Sequence, residues 1–129
     1  FIPKAGTPFQ WHPLEDIQAT SKKIQTITRA FRGQGNIRIA AEPAKSNYLQ
    51  ALFARGDRRV GSFLLAFHRH EGNWTRARKE ASLDIDFFVY RPRREKEILP
   101  WDFITTGVPK ASLLKEFQAS QSGTGKKNC

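Results

Sequence analysis

Apolar positions along the chain fall mostly at three- and four-residue spacing, which is the signature of helices that bury one face. Leu14, Ile17, Ile24, Ile27 and Phe31 predict one long helix. Pro13 stands at its first position, Glu15 and Asp16 in its first turn, Arg29 and Arg32 in its last, and Gly33 after it. A second pair of stripes, Leu49-Leu52-Phe53 and Val60-Phe63-Leu64-Phe67, predicts two helices from Ser46 to Gly72, with Ser46 as the N-cap of the first. Between them Gly56 is expected to enter the left-handed region and end the first helix, and Asp57 to cap the second. This hinge concentrates Arg55, Arg58 and Arg59 at one corner. Asn73 caps a short helix carrying Trp74, Ala77 and Ala81; the aromatic and branched run 84–90 allows a strand, but Asp84 or Asp86 as a cap equally opens one or two turns of helix, which is the favoured reading. Arg91 to Glu97 is a charged linker, Leu99-Pro100-Trp101 a buried anchor, and Pro109 opens a last helix with Leu113, Leu114 and Phe117 inward.

Two segments break the helical period. Residues 36–42 alternate, with Ile37, Ile39 and Ala41 on one side until Pro43 stops them, and this pattern predicts a short strand. Phe1 to Trp11 reads as an extended opening that ends a strand and runs into a loop at Pro3 and Pro8. The expected fold class is therefore α+β: a mainly helical single domain over 1–119 with a short two-strand βαβ-like amino-terminal unit, followed by a disordered tail at 120–129.

Composition narrows what such a domain does. Its 129 residues, 39% hydrophobic with ten phenylalanines, are enough for one real core. Twenty-two Lys and Arg against twelve Asp and Glu give +10, a balance that favours polyanions such as RNA or DNA and also serves solubility. Cys129 is the lone cysteine, so no intrachain disulfide forms and a reducing, cytoplasmic setting is expected. No apolar run approaches the roughly twenty residues that cross a bilayer, and no signal-peptide pattern opens the chain. Methionine is absent and the chain begins at Phe1, which leads us to expect a piece of a longer protein.

Candidate chemistry is sparse. His68 and His70 are two residues apart, a spacing that does not bring ligands together on a helix, so no metal site is expected. No nucleophile elbow, Walker A loop or dinucleotide fingerprint is present. Arg58 and Arg59, at the start of a helix, invite either pairing with Asp57 or Glu42 or the holding of a phosphate, and structural pairing is the favoured reading. An RNA-binding module is the rival function, carried by Arg55, Arg58, Arg59, Arg91, Arg93 and Arg94 beside Phe88 and Tyr90.

Three separated stretches carry a resemblance. The opening FIPKAGTPFQW, the hinge Ala54-Arg55-Gly56-Asp57-Arg58-Arg59-Val60, and Leu99-Pro100-Trp101-Asp102 with Thr106-Gly107-Val108 before a helix holding Leu113, Leu114 and Glu116 resemble, in order, the carboxyl-terminal third of a family of large radical SAM proteins. Members of that family carry a cobalamin-binding-like region ahead of the radical SAM barrel. The resemblance implies a carboxyl-terminal domain, inactive alone, that packs with the rest of its parent chain and completes the substrate side of the barrel. Lys4, Gly6, Thr7 and Gln10 would then line the substrate side. The resemblance also implies a 4Fe-4S cluster and S-adenosylmethionine in the parent only, because the cluster-binding cysteine motif is absent here, and it leaves open whether cobalamin takes part; Cys129 would be the first member of a cysteine-rich tail. Two departures are Ala5, where the family has histidine, and a shorter segment around Trp74.

Overall fold

Helix α1 begins where a side chain satisfies its first free amides: the Asp16 carboxylate accepts from Gln18 N at 2.8 Å and Ala19 N at 3.0 Å, and the helix runs Ile17–Ala30. Pro13 thus lies ahead of the helix rather than in its first turn, because Leu14 N is already committed to Val89 O at 3.0 Å. In this computed structural model, which describes residues 1–105 and 107–123, there follow α2 (Ala44–Arg55), α3 (Val60–Arg69), α4 (Trp74–Ala81), α5 (Asp86–Tyr90) and α6 (Lys110–Gln121). A short 3-10 helix, Pro8–Trp11, precedes them all.

Among the described residues there is no strand, so the chain is mainly helical and neither α+β nor βαβ-like. The physical reason is the lack of a ladder partner. Residues 36–42 have the side-chain alternation of a strand, but no neighbouring segment offers amides and carbonyls to them, and Ile37 and Ile39 stay 39% and 38% exposed. At the opening, Gly6 adopts φ 68° and Gln10 N donates to Thr7 O at 3.1 Å, which coils the segment instead of extending it.

The hinge differs from its sequence expectation in two respects. Helix α2 starts two residues before Ser46, with Pro43 at the cap position. Gly56 ends it in an extended conformation, φ −67° and ψ 166°, and not in the left-handed region. Glycine is needed there for space: a Cβ would lie 2.4 Å from Val60 Cγ2 and 2.7 Å from Leu52 O. Asp57 then accepts Arg59 N at 2.9 Å and turns the chain into α3, which begins at Val60.

Two cores result. In the larger, α3 and α4 fold back on each other around Phe63, whose ring meets Trp74 at 5.1 Å, and α2 lays Tyr48, Ala51 and Leu52 against Phe88 and Val89 of α5. Of the run 84–90, residues Asp86–Tyr90 are helical, and Asn73 caps α4 by accepting Arg76 N at 3.1 Å. In the smaller, Trp11, Leu99 and Leu113 pack with Trp101, Leu114 and Phe117, so the opening segment, the anchor and α6 close on one another. Helix α6 continues through Gln121, beyond the expected start of the tail at 120; Thr106 and residues 124–129, Cys129 included, lie outside the described residues. No helix among the described residues is long and apolar enough to cross a membrane.

Replacing Gly56 by alanine forces the Val60 side chain or the end of α2 to shift. Urea unfolding is expected to show a loss of about 1–3 kcal/mol.

Candidate functional site where three stretches converge

Arg55 closes α2, where a cation meets the negative end of the helix dipole, and its side chain turns inward to 0% exposure. Its guanidinium donates to four backbone carbonyls: Phe88 O at 2.9 Å, Arg91 O at 2.7 Å, Gln10 O at 3.3 Å, and His12 O. These acceptors belong to the opening segment and to the end of α5, so one side chain ties α2 to both. Burial, reinforced by the neighbouring Arg93 and Arg91 charges, pulls Arg55 down to about 10, and it stays protonated at neutral pH.

Around it lies a second tier. Arg93, 9% exposed, donates to Arg55 O and to Glu97 Oε1 at 3.2 Å, and its guanidinium lies over the Trp101 ring at 5.2 Å. Arg91 grips the Glu97 carboxylate with two bonds, 2.9 and 2.6 Å. The hydrogen bonds from Arg91, aided by Arg94 N and the charges of Arg91 and Arg93, hold Glu97 down at about 2. The run 91–97 is therefore not a free linker but the clamp of this junction.

Gln10 is the residue that all three separated stretches touch. It is 2% exposed; its carbonyl takes the Arg55 bond, and its side-chain Oε1 accepts from Gly6 N at 3.2 Å and Trp101 Nε1 at 2.6 Å. Beside it opens a cavity of about 500 Å³ bordered by Gly6, Gln10, Trp101, Asp102, Lys110 and Leu113. Asp102 and Lys110 pair across this edge; Asp102 also accepts Leu99 N at 2.8 Å, and Lys110 donates to Glu97 O at 2.9 Å.

Of the expected substrate-side residues, Gly6 and Gln10 border the cavity. Lys4 and Thr7 do not; the Thr7 hydroxyl donates to Lys4 O at 2.8 Å and Lys4 is exposed. The hinge residues do not converge on a single ligand either. Arg55 points into the junction, Arg59 pairs with Asp57 at 2.7 Å and covers Phe88 at 5.0 Å, and Arg58 is exposed with no ion-pair partner among the described residues. Glu42 bonds Gln50 instead of an arginine. Sequence reading missed Glu97 and Lys110 and took Arg93 for a surface arginine; the four-residue step from Arg93 to Glu97 was the available signal, and nothing in spacing linked it to Arg55.

Of the six arginines assigned to an RNA surface, Arg55 and Arg93 are buried, Arg91 is clamped on Glu97 and Arg59 is exposed but paired with Asp57, which leaves Arg58 and Arg94 exposed without an ion-pair partner among the described residues. His70 bonds Glu80 at 2.6 Å, His68 is exposed, and no group of three metal-ligating side chains forms among the described residues. The described residues do not fit an iron-sulfur cluster, and no step of cluster chemistry is assigned to them.

Arg55→Met, which removes the donor and leaves buried carbonyls unmatched, is expected to cost about 3–5 kcal/mol in denaturant unfolding, and Arg55→Lys to recover only part of it. The depressed Glu97 contributes stability in full above its ordinary value of 4.5, and that contribution fades as pH falls toward 2. Between pH 6 and pH 3 the native chain should lose about 1 kcal/mol more than Glu97→Gln in urea titrations. No family model, no curated protein and no solved structure matches this chain.

Proposed function

We propose that this chain is the carboxyl-terminal part of a radical SAM enzyme, inactive alone, which completes the substrate side of the barrel in its parent. One observation carries the reading. The three stretches that bear the resemblance are separated by tens of residues, yet they meet at Gln10, through Gly6, Arg55 and Trp101. Separated stretches that carry one resemblance and also meet on one buried residue point to a common role.

In this reading the cavity beside Gln10 faces the barrel. Gln10 is a positioning residue, its oxygen saturated by the Gly6 amide and the Trp101 indole, so that it fixes the opening turn against the anchor. Asp102 and Lys110 present a neutralised pair at the rim, able to accept or donate a hydrogen bond to a polar substrate. The 4Fe-4S cluster and S-adenosylmethionine, with cobalamin where the parent uses it, supply the radical chemistry from the rest of the chain. The reading goes with a cytoplasmic, reducing setting.

Reconstitution with iron and sulfide tests it. The 129-residue chain should form no stable 4Fe-4S cluster by optical and electron paramagnetic resonance spectra. The protein translated from the whole reading frame should form one and cleave S-adenosylmethionine when reduced. A stable cluster on the short chain, or a parent without a cysteine triad, overturns the proposal.

A further inference from the structure

Charge is unevenly balanced over the molecule. At the hinge, on α3 and α4, and at the 91–110 junction, cations meet carboxylates: Arg59 with Asp57, Arg69 with Glu80, Arg78 with Asp86, Lys110 with Asp102. The chain between Asp16 and Glu42 is different. It contains Lys22, Lys23, Arg29, Arg32 and Arg38 and no acidic residue. Lys23 reaches back to Glu15; the other four are exposed and have no ion-pair partner among the described residues.

Their placement follows from helix geometry. Side chains three and four apart share a face, so Gln18, Lys22, Gln25 and Arg29 form one exposed stripe of α1 made of cations and amides. Lys22 and Arg29 stand about 10 Å apart along it. Beyond the helix end Gly33, at φ 88°, turns the chain back, which puts Arg32 and Arg38 with Phe31 around a shallow recess. Phe31 is 38% exposed there, an aromatic edge beside two guanidiniums.

We infer that α1 and the turn after it form a docking surface for single-stranded RNA, with the cation stripe on the phosphates and Phe31 as a base platform. Charge complementarity selects a polyanion, since four unbalanced cations lie in one acid-free run. A single strand exposes both phosphates and base faces, and an aromatic side chain flanked by arginines is suited to both. An anionic bilayer is the competing polyanion: Ile17 packs on the core and Ile24 is half-buried, but Ile27, Phe31, Ile37 and Ile39 are 38–50% exposed, and the vesicle arm of the test below separates the two. The surface is distinct from the Arg55 junction, and the inference does not depend on the radical SAM reading.

The test is fluorescence anisotropy of a short, labelled, mixed-sequence single-stranded RNA with the 129-residue chain across a salt series. Joint substitution Lys22→Glu, Arg29→Glu and Arg32→Glu should weaken binding at least about tenfold and lower the slope of log affinity against log salt by about 2. Arg58→Glu with Arg94→Glu should leave affinity within about twofold, as expected for exposed cations outside the docked face. No side chain of α1 is buried, and circular dichroism of each variant checks that the fold is retained. Absence of binding by the native chain at low salt overturns the inference. So does equal binding by the triple variant, or capture by phosphatidylserine vesicles without capture by RNA.

Discussion

The junction between the two cores rests on the Arg55 guanidinium. A buried cation is costly unless its donors are matched, and here the acceptors are backbone carbonyls rather than a carboxylate. Carbonyls at segment ends are themselves expensive to bury unpaired, so the two costs cancel. The planar fork also suits acceptors arriving from different directions, which an ammonium group cannot match. The opening segment has few regular backbone bonds of its own, and its position is set from outside by Arg55, by Arg93 N on Trp11 O at 3.0 Å, and by Trp101 on Gln10.

That arrangement requires the chain to leave α2 at a sharp angle immediately after Arg55. Gly56 provides it because Val60 and the Leu52 carbonyl occupy the volume that any Cβ would fill. Asp57 serves twice, accepting the Arg59 amide to turn the chain and then pairing with the same residue's guanidinium. Arg-Gly-Asp is therefore a folding unit: a buried tie, a close approach and a turn, in consecutive positions.

Two surfaces with different chemistry follow. At the junction, positive charge is consumed internally, by carbonyls and by Glu97, and what opens to solvent is a cavity with a neutral Asp102–Lys110 rim. On α1 and the turn after it, charge is left unbalanced and side chains unburied. The net charge of +10 is thus not spread evenly, and Arg91 and Arg93, which follow Phe88 and Tyr90 in sequence, are held within the fold by Glu97.

Helix positions were legible from the chain alone where apolar spacing is strong, as at Val60, Phe63 and Phe67 or Leu113 and Phe117, because a helix records its buried face at a local period. Asn73 was legible as a cap for the same reason: its bond reaches only three residues. Alternation at 36–42 misled, since a strand is decided by a partner that lies elsewhere, and none came. Gly56 was correctly read as a stop and wrongly as left-handed, because the clash that selects glycine involves Val60 packing across the turn. Arg55 looked like one of three surface arginines; only the tertiary fold, which brings Gln10, His12, Phe88 and Arg91 around the end of α2, decided that it is buried. Residue type and spacing determine what a side chain is able to bond. Which groups arrive to bond it depends on contacts between positions dozens of residues apart, and those carry no local period to read.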